Sequence, residues 1–191
     1  MASPQDFSVE LEFTPNPNTL KYLTNVAFLL AGAFNFSDLE STRGKSPLAE
    51  KLFGLPGISG VMVGKNFVTV TLANQDSLTE LNEQIITTIR NFLASGEKAV
   101  SAELLTQSES TNVEGRTDIE IKIIELLDRE IRPAVAMDGG DISFEKYQDG
   151  IVFLHMKGSC AGCPSSTATL KLGIENRLKD IIPEIVEVVA V

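Results

Sequence analysis

The sequence predicts an α/β (α+β) protein of two small mixed domains joined by a polar linker. Residues 1–105 alternate short runs rich in β-branched residues with runs at helical spacing. Residues 106–116 are polar and almost without core-forming side chains, which is typical of a linker. Residues 117–191 follow the order α-β-β-α-β. With 191 residues, 43% of them hydrophobic, the chain is long enough for two small domains and apolar enough for a normal core.

Strands in the first domain are predicted from alternation and from β-branched residues. In residues 9–13, apolar side chains alternate with acidic ones, so we expect a half-buried strand. Residues 20–23 belong to a second apolar segment whose type the pattern leaves open. Residues 58–63 and 67–72 are predicted strands on either side of a turn.

Two helices complete the first domain. Ser46 is the predicted N-cap of the first helix, with Pro47 at its first helical position, and this helix reaches about Phe53. The second helix runs from about Ser77 to Ala94, because its apolar residues recur at helical spacing.

The second domain opens on a capping-box signature, with a hydroxyl at Thr117 and a carboxylate at Glu120. An apolar stripe follows as far as Ile131, and Pro133 is expected to end the regular pattern. Residues 138–141, Asp-Gly-Gly-Asp, are predicted to form a loop.

A hairpin, a helix and a last strand complete the second domain. Residues 142–147 and 151–156 are predicted strands around the turn signal Gln-Asp-Gly. Pro164 is predicted at the first position of a helix that ends near Pro183. The inward face of that helix is predicted to carry Leu170, Ile174, Leu178 and Ile181. Residues 186–191 are the predicted last strand.

Charge and hydropathy exclude two classes of partner. The formal net charge is −10, the acidic residues are spread over both domains, and no run of Lys or Arg is present, so we expect no nucleic-acid binding. No apolar stretch reaches the ~20 residues that a membrane helix needs. The N-terminal residues have neither a basic region nor an apolar signal core. We therefore expect a cytoplasmic protein, or one of the mitochondrial matrix if a leader was removed.

Both cysteines of the chain lie in one stretch, Cys160-Ala161-Gly162-Cys163. Two intervening residues let both sulfur atoms point at one metal centre, and Gly162 lets the backbone curl around it. Pro164 places the second sulfur at a helix N-terminus, where free N–H groups favour the thiolate. A secreted, disulfide-stabilised domain would have more cysteines that lie farther apart, so we expect reduced thiols.

Three chemistries use such a pair: a thioredoxin-like dithiol, half of a zinc site, and half of an iron–sulfur site. A thioredoxin-like fold needs a long stretch after its motif, whereas 28 residues follow Cys163 here. Zinc needs four ligands, and the chain offers two Cys and one His; His155 is more often a packed or surface residue at such a position.

A [4Fe–4S] cluster commonly takes four thiolates, and one chain supplies two. A second copy that brings its own Cys160 and Cys163 across a two-fold axis is the simplest completion. A cluster shared in this way suits a carrier that is not an enzyme. A dithiol oxidoreductase and a zinc-bridged structural dimer remain the alternatives.

Two sets of residues carry a resemblance to a known family. In the second domain they are Arg132-Pro133, residues 138–141, 158–166, 169–171, 173–175 and 182–185. In the first domain they are residues 14–19, Lys21, residues 46–49, 52–53 and 67–71. Residues 117–191 closely resemble the C-terminal domain of NifU-like (Nfu) iron–sulfur scaffold proteins. Residues 1–105 resemble the N-terminal domain of the mitochondrial and alphaproteobacterial type of Nfu protein.

The resemblance implies assembly of a [4Fe–4S] cluster between two subunits and its delivery to apo iron–sulfur proteins. Upstream cluster-assembly proteins would supply the cluster. Cys160 and Cys163 carry over as the ligands, and no other residue does. The first domain contains no Cys or His, so it brings none of the usual soft ligands.

Overall fold

Two sets of secondary-structure elements, each with its own hydrophobic core, make up the protein. The computed structural model describes residues 3–30, 32–74, 78–109, 115–161 and 164–191. The chain divides into two compact units, Met1–Thr111 and Asn112–Val191.

Unit 1 is built on a five-stranded antiparallel sheet in the order β1-β2-β5-β4-β3. Its strands are β1 (Val9–Phe13), β2 (Thr19–Thr24), β3 (Phe34–Phe36), β4 (Ile58–Val63) and β5 (Phe67–Leu72). The strands predicted at residues 9–13, 58–63 and 67–72 are confirmed. Residues 20–23, whose type was open, lie in β2, between β1 and β5. Phe13 differs from the half-buried expectation, since it ends β1 and is 78% exposed.

In the described part of unit 1, four helices and a short 3-10 turn (Pro4–Asp6) accompany the sheet. The helices are α1 (Leu39–Thr42), α2 (Pro47–Phe53), α3 (Leu78–Ser95) and α4 (Ala102–Glu109). The predicted cap of α2 is confirmed, because the Ser46 hydroxyl accepts a hydrogen bond from the Ala49 N–H at 3.2 Å. The predicted second helix is confirmed as α3.

The start of the predicted linker differs from the structure. Residues 106–109 continue α4, where the composition predicted irregular chain. The Leu104 N–H donates to the Ser101 hydroxyl at the start of this helix, and Ala, Glu, Leu and Gln are good helix formers, so a polar segment can still be helical. Residues 110–114 lie outside the described residues.

Unit 2 has a three-stranded sheet in which β6 and β7 pair antiparallel and β7 and β8 pair parallel. Its elements are α5 (Asp118–Leu126), a π-helical turn (Leu127–Ile131), α6 (Arg132–Met137), β6 (Gly140–Gln148), β7 (Ile151–Gly158), α7 (Pro164–Ile181) and β8 (Glu187–Ala190). The predicted order α-β-β-α-β is confirmed. So is the capping box, in which the Thr117 hydroxyl accepts from Glu120 and the Glu120 carboxylate accepts from Thr117.

The hairpin between β6 and β7 follows from its turn residues. Asp149 and Gly150 both have positive φ, 52° and 82°. Positive φ at both central positions is the type I′ turn, which joins two strands with the right twist. The predicted hairpin is therefore confirmed.

Pro133 does not end the helix, so that expectation is wrong. The chain passes from α5 through the π-helical turn and continues as α6 to Met137. Pro133 lies in the first turn of α6, where a missing N–H is best tolerated. The predicted loop at residues 138–141 is also shorter than expected, because Gly140 and Asp141 already belong to β6.

The core of unit 2 lies between the helices and the sheet. Its buried members include Ile123, Leu126, Leu127, Val135, Ile142, Val152, Leu154, Ile174, Leu178 and Val188. The predicted inward face of α7 holds for Ile174 and Leu178 and is wrong at Ile181, which is exposed, because Ile182 takes the buried position instead. In the part of the chain that the structure describes, no helix is both long and apolar enough to cross a bilayer.

Candidate functional site

The candidate site is the segment between β7 and α7, residues 159–163, here called the cysteine loop. Gly158 ends β7 with φ of 63°, which a residue with a side chain rarely adopts, so the chain can turn sharply into the loop. Cys160 lies in the loop, and α7 begins at Pro164 as predicted. Gly162 and Cys163 lie outside the described residues, so the mutual geometry of the two sulfur atoms stays a prediction.

Hydrogen bonds fix the first half of the cysteine loop. The Ser159 hydroxyl donates to the carbonyl oxygen of Asp138 at 2.5 Å, and the Ser159 N–H donates to the carbonyl oxygen of Gly139 at 3.2 Å. On the other side, the Thr167 hydroxyl of α7 donates to the Cys160 carbonyl oxygen at 3.0 Å. The turn before β6 and the first turns of α7 thus hold the loop between them.

The Cys160 thiol faces inward. Cys160 is 6% exposed and belongs to the core of unit 2. Its Sγ lies against the α-carbon of Gly140, the first residue of β6, so closely that a Cβ at position 140 would overlap the sulfur. Only a glycine at position 140 leaves room for the thiol in this position.

Burial also sets the protonation of this thiol. Loss of solvent raises the pKa of Cys160 from its ordinary value of 9.0 to about 11. A hydrogen bond with Ser159 works to lower this pKa, while the negative charges of Asp138 and Asp141 raise it further. As the structure places it, Cys160 is a neutral thiol at neutral pH, and it must lose its proton to bind a metal.

Asp141, the residue after Gly140, forms an ion pair with Arg132 that the sequence did not indicate. Arg132 donates from Nε to Asp141 Oδ1 at 2.9 Å and from Nη2 to Asp141 Oδ2 at 3.2 Å. Arg132 Nη1 also donates to Asp128 Oδ1 at 3.0 Å. Burial works to lower the pKa of Arg132, but the hydrogen bonds and charge of Asp141 outweigh it and the pKa is raised. The sequence predicted a loop at residues 138–141, and nothing in a nine-residue spacing indicates this pair.

His155 does not join the cysteine. It lies on β7, where its Nδ1 is 3.1 Å from the Val191 carbonyl oxygen and its Nε2 is 2.9 Å from Glu145 Oε2. Both ring nitrogens are thus engaged, which does not support a ligand role. Among the described residues, no group of three or more His, Cys, Asp or Glu side chains is placed to hold a metal ion. Within one chain, the candidate ligands remain the two predicted cysteines.

Unit 2 is therefore a small α+β domain that carries a thiol loop between a strand and the helix that follows it. Residues 123–189 match the NifU-like domain family, and residues 9–96 match the family described as scaffold protein Nfu/NifU N terminal.

Curated relatives cover nearly the whole chain. The human "NFU1 iron-sulfur cluster scaffold homolog, mitochondrial" is 40% identical over 178 residues, which are 93% of this chain and 69% of the relative. Proteins of the same name from Drosophila erecta and Drosophila yakuba are each 37% identical over 186 residues, 97% of this chain and 65% of theirs. The chain thus spans about two thirds of the length of these relatives. It belongs to the Nfu family, and the family recognised from the sequence is confirmed.

Solved structures also resemble parts of the chain. The solution structure of a NifU-like protein from Saccharomyces cerevisiae has a TM-score of 0.45 and 24% identity, and the match covers 50% of this chain and 86% of that one. A crystal structure of a protein from Staphylococcus aureus has a TM-score of 0.38 and 12% identity, with 43% of this chain and 98% of that one covered.

Proposed function

We propose that this protein is an iron–sulfur cluster scaffold and carrier and that it is not an enzyme. It binds a [4Fe–4S] cluster between two copies of the chain through Cys160 and Cys163, and it transfers the cluster to apo iron–sulfur proteins. The observation that carries the proposal is a Cys-x-x-Cys loop in the matched NifU-like domain of a chain whose curated relatives are named iron-sulfur cluster scaffold homologs.

The number of sulfur donors supports the shared site. The common [4Fe–4S] cluster takes four thiolates, and this chain contains two cysteines. Among the described residues, no group of three or more His, Cys, Asp or Glu side chains forms a metal site that could hold a cluster without the cysteines. A second copy, related by a two-fold axis, supplies the missing pair from the same loop.

The shared site explains transfer as well as binding. The cluster is cargo, and each chain holds half of its ligands, so an acceptor's thiolates can replace those of one chain at a time. The partners are therefore apo iron–sulfur proteins that accept the cluster and upstream assembly proteins that supply it. The curated relatives are named mitochondrial, which favours the matrix over the cytoplasm among the two predicted locations.

Loading requires Cys160 to change its surroundings. In the structure its Sγ faces Gly140, and the residue is 6% exposed. A sulfur that ligates a cluster between two chains must face the second chain. The Cys160 side chain must therefore turn outward, and its thiol must lose the proton that burial stabilises.

Anaerobic reconstitution with iron and sulfide tests the proposal. We expect a brown protein with about four iron atoms per two chains. Cys160→Ser and Cys163→Ser should each remove the colour. Ala161→Ser is the matched control, because it adds the same hydroxyl at the exposed position between the cysteines and keeps both sulfurs. Loaded protein mixed with an apo-enzyme that needs a [4Fe–4S] cluster should restore that enzyme's activity in the presence of an iron chelator.

The same sample separates the alternatives. A zinc-bridged dimer would contain about one zinc ion per two chains and would be colourless. A dithiol oxidoreductase would reduce a disulfide substrate without any iron. Either result, in place of a brown iron-containing protein, would refute the scaffold proposal.

A further inference from the structure

Residues 138–141, here called the loop floor, contact the cysteine loop through three consecutive residues. The carbonyl oxygens of Asp138 and Gly139 accept hydrogen bonds from Ser159, and Gly140 lies against Cys160 Sγ. A displacement of the floor would therefore change both the backbone position of Ser159 and the packing of the thiol.

The fourth residue of the loop floor faces a different element. Asp141 is 5% exposed, and both of its carboxylate oxygens accept from one guanidinium group, that of Arg132. This bidentate contact fixes the orientation of the two side chains as well as their distance. Only the planar guanidinium group of arginine offers two parallel donors in this way.

Arg132 is itself fixed to the helical segment that precedes the floor. It is the first residue of α6, directly after the π-helical turn, and its Nη1 donates to Asp128 within that turn. One guanidinium group thus ties the helical segment to the first residues of β6.

We propose that Arg132 and Asp141 are positioning residues for Cys160: their paired hydrogen bonds hold the loop floor in place and so control how readily the thiol leaves Gly140. Control of cluster binding rests on the proposed function, whereas control of thiol exposure does not. Neither residue is proposed as a ligand.

The physical consequence of losing the guanidinium is direct. The Asp141 carboxylate would remain buried without two of its charged donors, which is costly. It would move toward solvent, and Gly140, its neighbour in β6, would move with it. The contact between Gly140 and Cys160 Sγ would then open more often, as a local event that leaves the rest of unit 2 folded.

The alkylation rate of Cys160 in the full-length apo-protein tests this directly. In a Cys163→Ser background, Cys160 is the only thiol. We expect Arg132→Gln and Asp141→Asn to raise the rate by about fivefold or more at fixed pH. Arg132→Lys should give an intermediate alkylation rate, because lysine keeps the positive charge but cannot form the bidentate hydrogen bonds to Asp141.

The matched control is Arg177→Gln. Arg177 donates to Glu130 Oε2 at 2.8 Å, so this variant also removes a paired guanidinium from unit 2, but not one that contacts the loop floor. Its alkylation rate should equal that of the parent. A rate that stays constant at low denaturant concentrations distinguishes local opening from global unfolding.

A second readout connects the pair to the cargo. With both cysteines present, the reconstituted cluster should lose its visible absorbance sooner in Arg132→Gln than in Arg177→Gln. An unchanged alkylation rate in folded Arg132→Gln and Asp141→Asn would overturn the proposal. If Arg132→Gln is unfolded by circular dichroism, Arg132→Lys decides, and a rate equal to the parent's would overturn it. A parent chain that binds no iron would refute the scaffold function and leave the alkylation result standing.

Discussion

Gly140 and Cys160 lie against each other, with the sulfur of Cys160 in the space that any side chain at position 140 would need. The same space is bordered by Val135, whose Cγ1 would be 3.2 Å from a Cβ at position 140. The contact joins the first residue of β6 to the cysteine loop. Cys160, the candidate ligand, therefore packs against a glycine, which has no side chain.

Gly140→Ala should displace the Cys160 thiol. The added methyl group would overlap Sγ and press on Val135, so the loop or the strand has to shift. We expect a loss of about 1–3 kcal/mol in the free energy of unfolding, as for overpacked cores, and a lower iron content after reconstitution. Denaturant unfolding and iron analysis measure the two effects.

Gly173→Ala is the control for this substitution. Gly173 lies within α7, and an added Cβ would meet no atom within 4 Å apart from the backbone of its own helix. Alanine there should raise the free energy of unfolding by about 0.5–1 kcal/mol through helix propensity, with no change in iron content. Equal stability and equal iron content in Gly140→Ala and the parent would show that Cys160 is not packed as described.

Alkylation of Cys160 should depend on pH as expected of a thiol with a raised pKa. In folded Cys163→Ser protein, the rate should rise about tenfold per pH unit and reach half of its maximum only near pH 11, because the thiolate is the reactive form. In urea the same thiol should reach half of its maximal rate at about pH 9, its ordinary pKa. A half-maximal rate near pH 9 in the folded protein would mean that the thiol is not buried.

The same pKa predicts a loss of stability at high pH. The folded-state pKa of Cys160 lies above its ordinary value of 9.0. The contribution of this thiol to the free energy of unfolding is therefore fully present below about pH 9 and is lost as pH rises toward 11. The free energy of unfolding of Cys163→Ser should therefore fall more steeply over this range than that of Cys160→Ala/Cys163→Ser. This comparison cancels the titration of lysines and tyrosines, and parallel curves would contradict the assignment.

Thr69 offers a test of the unit 1 core. It is 1% exposed on β5, and its hydroxyl is buried without a hydrogen-bond partner among the described residues. Thr69→Val removes this unsatisfied group and keeps the shape of the side chain. We expect a gain of about 1 kcal/mol in the free energy of unfolding, measured with urea.

Thr19→Val is its matched control. Thr19 is equally buried, but its hydroxyl is 3.0 Å from that of Thr71, so valine breaks a hydrogen bond. We expect a loss of about 1 kcal/mol for Thr19→Val. If both variants lose stability, the Thr69 hydroxyl has a partner after all.

Features with a local cause were predictable from the sequence. Ser46 and Thr117 cap helices through bonds to residues three positions on, so the residue types and their spacing suffice. Asp149 and Gly150 form a turn that their own backbone preferences favour. The position of Cys160 in a loop before a helix follows from the glycines and Pro164 in the same way.

Features with a distant cause were not predictable. Residues 20–23 form an interior strand of the sheet only because β1 and β5 lie on either side of them. Pro133 is tolerated within a helical segment because a π-helical turn precedes α6. The inward position of the Cys160 thiol depends on Gly140, and the Arg132–Asp141 pair depends on the approach of α6 to β6. Each requires tertiary contacts that a single sequence does not display.

The mass and iron content of anaerobically loaded protein, measured together by native mass spectrometry, test the shared-cluster proposal most directly. We expect one brown species of two 20.7 kDa chains with about four iron atoms, and colourless protein when Cys160 is changed to Ser. A single chain that retains a complete cluster, or protein that stays free of iron, would contradict it.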